Sequence, residues 1–239
     1  MDILNQRLVI FGTGGHAREI HATVEALDDM APGEYEFLGW LDGNEQKHGA
    51  SIRGLPVLGG VEWLADHPEV EVMVGIGAPA VRRRVIQQIM AAGHAAFATL
   101  ISPHARMGSR VTVGRGVYVA PGAICTTEIR VGDFAHINTG ALLSHDVQVG
   151  EYAMISPRAA LAGNVTVGAG TDVGLNASVI QGQTIGAWSV VGAQAMVRSD
   201  LPANCVAVGV PAKVIKARDA GWHELIAPPP ARRVDAMMH

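Results

Sequence analysis

A histidine followed directly by an aspartate, His145-Asp146, is the pair of residues in this chain best suited to acid–base chemistry. An imidazole titrates near neutral pH, so it can take a proton from an amine or a hydroxyl group that is attacking a thioester. An adjacent carboxylate can orient the ring and raise its basicity. Because a surface histidine is more often merely solvated, the pair alone gives only a hypothesis of general-base catalysis.

A second group of residues has the composition of a phosphate-binding turn. A short β-branched run ends at Phe11, residues 17–27 are good helix formers, and the turn between them reads Gly12-Thr13-Gly14-Gly15-His16. A glycine turn that opens a helix presents free backbone N–H groups and the positive end of the helix dipole to an anion. The full dinucleotide fingerprint is not present, because Ala17 stands where its third glycine would fall. A tight turn without a ligand is the alternative.

Two further strand ends are expected at the same edge of the sheet as this turn. Asp42 closes the second predicted strand, and its carboxylate can accept a hydrogen bond from a ribose hydroxyl or a base N–H. It could equally be a turn aspartate before Gly43. Gly75-Ile76-Gly77 closes the third strand and allows another close approach of the backbone. The three segments together predict a nucleotide site at this edge.

The elements that position these residues alternate between strand and helix over the first hundred residues. After the first strand, strands are predicted at 36–41, 70–76 and 95–100, and helices at 17–27, 60–65 and 80–92. This alternation predicts a small Rossmann-like parallel α/β domain over residues 1–102.

From Ile101 to Val197 every sixth residue is Ile, Val, Leu, Met or Cys, which gives seventeen hexads. The residue two positions earlier is usually small, and the next one is often glycine. A period of six excludes an α-helix and predicts the short strands of a β-helix with three sides to a coil, over residues 103–215. His145 falls two residues past the inward Leu143, so it should face outward near a corner. Asn138, one residue past Ile137, fits a left-handed turn.

Composition excludes several classes of protein. The chain has 239 residues, is 49% hydrophobic and carries a net charge of −4. These values disfavour nucleic-acid and membrane-surface binding. The first residues read as a strand rather than a signal peptide, so we expect a cytoplasmic protein. Two cysteines are too few for a disulfide framework or a thiolate metal site, and we predict no metal.

Six motifs occur in order over most of residues 7–215: Gly12-Thr13-Gly14-Gly15-His16-Ala17, Trp40-Leu41-Asp42, Ile137-Asn138-Thr139, Ser144-His145-Asp146, Ala162-Gly163-Asn164-Val165 and Val208-Gly209-Val210-Pro211-Ala212-Lys213. Together they resemble the sialic-acid O-acetyltransferase and nucleotide-amino-sugar N-acetyltransferase family of hexapeptide-repeat enzymes. The resemblance implies a left-handed parallel β-helix and acetyl-CoA as acyl donor. It also implies acetylation of the 4-amine of a nucleotide-linked deoxyamino sugar, such as a UDP-linked bacillosamine precursor or GDP-perosamine.

The resemblance also assigns roles to individual residues. It implies His145 as the general base with Asp146 as its partner, and we place Asn138 of the matched third motif among the candidate catalytic residues. The nucleotide-sugar would be held by Gly14, Gly15, His16 and Asp42, to which the strand-end argument adds Gly77. Acetyl-CoA would lie in the groove between two β-helices, near Leu175 and Ala193. Because family members are trimers, we expect a homotrimer.

One position departs from the pattern. Bacillosamine-type enzymes carry a histidine nine residues after the catalytic one, near the thioester carbonyl, and this chain has Met154 there. Methionine donates no hydrogen bond. Either a backbone N–H or water polarises the carbonyl, or the acyl group or its pose differs, or Met154 fills an apolar gap beside the pantetheine arm.

Two other functions stay open on the sequence alone. One is O-acetylation of a sialic acid or glycan, and the other is a non-enzymatic β-helix scaffold or NAD-dependent nucleotide sensor. A phosphate cradle favours a nucleotide-linked substrate over a free sugar, and His145-Asp146 argues against a silent scaffold. The sequence does not choose among UDP, GDP and dTDP. The C-terminal tail, residues 216–239, lies outside the resemblance, and Trp222-His223-Glu224-Leu225 is expected to pack on the last coil.

Overall fold

The N-terminal part of the computed structural model, which describes residues 6–225, is a five-stranded sheet in the order β3-β4-β2-β1-β5. The strands are β1 (Gln6–Phe11), β2 (Tyr35–Leu41), β3 (Ser51–Ile52), β4 (Leu55–Gly59) and β5 (Glu71–Val74). All neighbours pair in parallel except β3 and β4, which form an antiparallel edge hairpin. The α/β domain is confirmed, but its sheet is mixed rather than wholly parallel. The hairpin turn, Arg53-Gly54, has positive φ at both residues, as a tight two-residue turn requires.

Two helices cover opposite faces of this sheet, α1 (Gly15–Met30) and α2 (Pro79–Ala91). Since side chains alternate along β1, Ile10 packs toward α1, whereas Val9 packs toward α2. Short 3₁₀ turns span Glu45–Lys47 and Val61–Asp66, where a helix was predicted at 60–65. The strand predicted at 95–100 is reduced to one bridge, from Phe97 to Val72.

Seventeen two-residue strands follow, one for each predicted hexad. They are β6 (Leu100–Ile101), β7 (Arg106–Met107), β8 (Thr112–Val113), β9 (Tyr118–Val119), β10 (Ile124–Cys125), β11 (Arg130–Val131), β12 (His136–Ile137), β13 (Leu142–Leu143), β14 (Gln148–Val149), β15 (Met154–Ile155), β16 (Ala160–Leu161), β17 (Thr166–Val167), β18 (Asp172–Val173), β19 (Ser178–Val179), β20 (Thr184–Ile185), β21 (Val190–Val191) and β22 (Met196–Val197). Every third strand pairs in parallel, so the chain forms a β-helix with three sides.

The three sides differ in what their outward residues meet. The docked face (β6, β9, β12, β15, β18 and β21) lies against the N-terminal domain, as shown by the contacts below. The apolar face (β7, β10, β13, β16, β19 and β22) exposes Ile124 and Leu142. The polar face (β8, β11, β14, β17 and β20) exposes threonines, Arg130 and Gln148. Inside, the aliphatic and small residues predicted from the period form one continuous buried core.

The corners of the prism are named by the faces that they join. The near corner lies between the docked and apolar faces, and the far corner lies between the apolar and polar faces, opposite the docked face. Corner turns use left-handed residues, such as Asp146 (φ 62°) and Asn164 (φ 57°) at the far corner. These short-chain residues tolerate that conformation better than most.

Arg82 of α2 joins the two domains. Its buried guanidinium donates to the carbonyl oxygens of Phe134 (3.0 Å), Tyr152 (2.7 Å) and Ala153 (3.1 Å) on the β-helix. It also donates to Ile76 O (2.7 Å) and Gly77 O (2.8 Å) at the edge of the α/β sheet. Five carbonyl oxygens therefore replace water around this buried cation. Because three belong to the β-helix and two to the α/β domain, these hydrogen bonds fix the position of one domain on the other.

The C-terminal residues fold back over the last coils. Strands β23 (Cys205–Val208) and β24 (Lys213–Ala217) form an antiparallel pair, and a 3₁₀ turn spans Trp222–Glu224. The ring of His223 in this turn stacks on Trp188 at 3.7 Å between centroids. Residues 226–239 of the predicted tail lie outside the described residues.

Candidate active site

The glycine turn of the α/β domain opens onto free space. Gly14 is the N-cap of α1 and supplies no side-chain cap, and a Cβ added at Gly14 or Gly15 would meet no atom within 4 Å. At Gly75, by contrast, a Cβ would fall 2.7 Å from Cβ of Ala17. Glycine at 75 therefore allows α1 to pack closely on the end of β5, although the third position of the turn is Ala17 rather than glycine. Gly14 and Gly15 are exposed, and the first N–H groups of α1 have no partner within the helix, so this turn, the cradle, is suited to an anion.

Asp42 lies beside the glycine turn, as predicted, and is held in place by two neighbours. Its Oδ2 accepts hydrogen bonds from Thr13 Oγ1 (2.5 Å) and Lys47 Nζ (2.7 Å). Burial raises the pKa of Asp42, but the hydrogen bonds from Lys47, Thr13 and the Asn44 N–H outweigh it and lower the pKa below its usual value. The carboxylate is therefore ionised at neutral pH. Lys47 places a cation at the cradle, and sequence analysis missed it because a lone lysine in a loop carries no signal.

Gly77, His16 and Met154 meet where the α/β sheet edge touches the docked face. A Cβ added at Gly77 would lie 3.7 Å from Met154 Cε and 4.0 Å from His16 Cδ2. Met154 is 5% exposed. Two predicted nucleotide-site residues and one predicted acetyl-CoA residue are thereby brought together.

His16 also contacts a second histidine across the domain boundary. His16 Nε2 lies 2.9 Å from Nδ1 of His136, which is fully buried on β12. Burial and the positive charge of Arg82 lower the pKa of both imidazoles, that of His136 well below the usual value. His136 is not among the residues predicted from the sequence. His136 immediately precedes the inward Ile137, so its side chain points outward, and it is in register with Tyr118 on β9. Large outward residues that repeat every eighteen positions are typical of a β-helix face covered by another domain, and this repeat is the sequence signal that could have identified His136.

His145 and Asp146 form the predicted pair at the far corner. His145 Nδ1 lies 2.8 Å from Asp146 Oδ2, and the two side chains are half exposed. A shallow depression of about 390 Å³ adjoins Asp146 on the polar face. The pair has the geometry of a carboxylate-oriented imidazole whose Nε2 faces away from the carboxylate.

The remaining predicted residues lie on the near corner. Asn138 is 8% exposed there, and its Oδ1 accepts a hydrogen bond from the Thr139 N–H at 2.8 Å. Leu175, which is 52% exposed, and Ala193 follow β18 and β21 at the same corner. The predicted site is thus divided within one chain. The nucleotide and acetyl-CoA candidates gather at the docked face and near corner, and His145-Asp146 stands across the prism from them.

The chain is similar to known proteins both in its N-terminal domain and over most of its length. Residues 7–89 match the PglD N-terminal domain family. The chain is similar to perosamine N-acetyltransferase from Caulobacter crescentus, solved with CoA and GDP-perosamine, at 32% identity over 87% of this chain and 96% of that one, with a TM-score of 0.77. It is also similar to the acetyltransferase domain of PglB from Neisseria gonorrhoeae, solved with acetyl coenzyme A, at 28% identity over 88% and 100% of the chains, with a TM-score of 0.78. No match was found among the curated proteins.

WeeI from Acinetobacter baumannii, at 23% identity over 87% of this chain and 99% of that one, shares the fold with a TM-score of 0.76. These likenesses confirm the predicted left-handed β-helix. Among residues 6–225, none of the helices combines the length and apolar character needed to cross a bilayer. Over the same residues, no three His, Cys, Asp or Glu side chains form a metal-binding group.

Proposed function

Because the chain belongs to the nucleotide-4-amino-sugar N-acetyltransferase family, we propose that it transfers the acetyl group of acetyl-CoA to the 4-amine of a nucleotide-linked 4-amino-6-deoxy sugar. The enzyme is an acyltransferase that acetylates amino sugars from acetyl-CoA. The observation that carries the finer proposal is the open cradle at Gly14 and Gly15, flanked by Asp42 and Lys47. A free sialic acid or glycan, the O-acetylation alternative, has no ribose for the Asp42 carboxylate to bind.

His145 is the proposed general base. Asp146 accepts from Nδ1–H and so leaves the lone pair of Nε2 free to take a proton. As the sugar amine attacks the thioester carbonyl, its nitrogen forms the new C–N bond and passes its proton to Nε2. The C–S bond breaks, and the CoA sulfur leaves as a thiolate that takes the proton from Nε2 of the His145 imidazolium, which gives free coenzyme A and restores the base. The relative from Caulobacter crescentus was also crystallised with one histidine replaced by Asn or by Ala, in both cases with CoA and GDP-perosamine bound.

The division of the site within one chain is the reason to propose a trimer. The apolar face exposes Ile124 and Leu142, each at 38%, and such a patch is suited to burial against copies of itself. This face is bounded by the near corner on one side and the far corner on the other. If three chains turn it toward a common axis, the far corner of each chain meets the near corner of the next. His145 of one protomer then completes the site that another protomer supplies.

Calorimetric titration with GDP, UDP, dTDP and NAD tests the proposal, followed by an acetyl-transfer assay on the 4-amino-6-deoxy sugar linked to whichever nucleotide binds. We expect one nucleoside diphosphate to bind and mass spectrometry to show an amide product. Binding of NAD alone would favour the sensor hypothesis. Transfer to a free sialic acid but not to the nucleotide-linked amine would favour O-acetylation.

A further inference from the structure

The contact between His16 and His136 allows only one favourable arrangement of protons when both rings are neutral. His16 Nδ1 faces Glu19 Oε2 at 3.4 Å, and a carboxylate oxygen only accepts, so Nδ1 carries the hydrogen. His16 Nε2 is then a lone pair that must accept from His136 Nδ1–H, at 2.9 Å. The opposite arrangement would turn the lone pair of His16 Nδ1 toward a carboxylate.

The fixed partner in this contact is His136. It is fully buried between Tyr118 and Met154 on neighbouring strands, and its Nε2 has no hydrogen-bond partner among residues 6–225. Burying an imidazole nitrogen without a hydrogen-bond partner costs free energy. This cost indicates that His136 is kept for the hydrogen bond that its other nitrogen makes. Glu19, by contrast, is exposed, and a ligand can displace its carboxylate.

We propose that His136 is a positioning residue, whose Nδ1–H holds His16 in the tautomer that presents Nδ1–H to a phosphate oxygen of the nucleotide-linked substrate. The inference rests on the proposed function, because it takes the cradle at Gly14 and Gly15 as the phosphate site. His16 is the second residue of α1, so it directly follows the glycine turn whose first N–H groups have no partner within the helix. A neutral donor locked in place complements these groups without an added charge.

Three variants separate positioning from simple packing. His136→Leu removes the donor and frees His16 to adopt the Nε2–H tautomer. His136→Asn is the rescue, since its amide nitrogen occupies nearly the place of Nδ1 and still donates. Tyr118→Phe is the matched control, because it breaks another buried hydrogen bond between the same two domains, to Thr23 at 3.0 Å, and keeps the ring that packs edge-on against His16.

Two readouts are measured on each protein: the ¹⁵N chemical shifts of its histidines, which distinguish the two neutral tautomers, and calorimetric affinities for GDP, UDP, dTDP and free coenzyme A. Because Glu19 also favours Nδ1–H on His16, the tautomers are compared in a Glu19→Ala background. There we expect Nδ1–H on His16 when His136 is present, in His136→Asn and in Tyr118→Phe, and Nε2–H in His136→Leu. His136→Leu should bind the preferred nucleoside diphosphate about tenfold more weakly, with coenzyme A affinity within about twofold of wild type.

An Nε2–H tautomer in the wild type, or equal nucleotide affinity in wild type and His136→Leu, overturns the inference. Equal weakening by Tyr118→Phe and His136→Leu does so too, because it assigns the effect to domain packing. Failure of the wild type to bind any of the three nucleotides overturns the proposed function and with it the ligand role given to His16. The tautomer measurement needs no ligand, so it judges the His16–His136 contact in either case.

Discussion

The imidazole of His145 lies directly over Gly163, which stands one coil further along the far corner. A Cβ added at Gly163 would overlap the ring at Cε1, Nε2 and Nδ1. The Asn164 N–H donates to the carbonyl of His145 at 3.0 Å and fixes the backbone below the ring. Glycine at 163 therefore provides the space in which His145 can face Asp146.

Replacing the proposed base should lower turnover strongly without unfolding the protein. His145→Ala is expected to lower kcat by about 10²- to 10⁴-fold, the usual contribution of a general base. Its side chain is half exposed, so its removal leaves no cavity and the melting temperature should change little. Steady-state kinetics at neutral pH and a thermal melt measure both. More than a tenth of wild-type turnover in the variant would disprove the role.

Adding one methyl group at Gly163 should have a similar effect on turnover. Gly163→Ala is expected to push the ring of His145 toward solvent, break its 2.8 Å contact with Asp146 and lower kcat at least about tenfold. The affinity for nucleotide should be unchanged, because the cradle lies in the α/β domain at the start of α1. A variant with wild-type kcat would show that the orientation seen here is not needed for catalysis.

The proposed trimer predicts a mass of about 75 kDa in light scattering, three times the 25.0 kDa of one chain. Leu142→Glu, which places a charge on the apolar face, should yield inactive monomers. An active monomer would refute the shared site.

Mixed trimers test the same arrangement more directly. His145→Ala and Asp42→Ala subunits should each be inactive alone. After co-refolding in equal amounts, about a quarter of the shared sites should combine an intact far corner with an intact cradle and recover activity. No recovery in verified mixed trimers would place both residues of a site on one chain.

How far the sequence predicted this structure depends on whether the signal was local. Each hexad carries its own inward aliphatic residue and turn, so the β-helix and the outward position of His145 could be read from the period alone. The roles of His136 and Arg82 could not, because they arise only when one domain lies on a particular face of the other. The β3–β4 hairpin was missed because Arg53-Gly54 is an uncommon tight-turn pair, with arginine in a left-handed conformation.

Stability should decrease toward acid pH because buried histidines resist protonation. Burial and the charge of Arg82 lower the pKa values of His16 and His136, and burial lowers those of His21 and His223. As pH falls below about 6.5, the unfolded chain takes up protons that the folded chain does not, so the free energy of unfolding falls.

The contribution of His136 to this acid sensitivity can be isolated. In His136→Asn the slope of unfolding free energy against pH should be shallower, by up to about 1.4 kcal/mol per pH unit below pH 6. Glu19, Tyr118 and Arg82 also act on the His16–His136 pair, and they are unchanged in His136→Asn, so the two proteins differ only at residue 136. Denaturation at pH 5 to 8 measures both slopes, and parallel curves would contradict the assignment.

Met154 tests how the acyl donor is held. It is in register with His136 on the neighbouring strand and packs beneath Gly77, at the meeting of cradle and near corner. If related enzymes use a histidine there to hold the thioester oxygen, Met154→His should preserve or improve the apparent affinity for acetyl-CoA. One hydrogen bond to a carbonyl contributes about 0.5–1.5 kcal/mol, so the gain should not exceed about tenfold.

The opposite result would identify a different donor. Met154 is almost fully buried, so if it packs against a longer acyl chain or a differently posed pantetheine, an imidazole brings an unsatisfied polar group into an apolar contact and weakens binding. Met154→Leu is the matched control, because it keeps an apolar side chain of similar volume. Steady-state kinetics with acetyl-, propionyl- and butyryl-CoA compare the three proteins. A loss of acetyl-CoA efficiency in Met154→His but not in Met154→Leu, together with a wild-type preference for the longer donors, would contradict acetyl-CoA as the preferred donor.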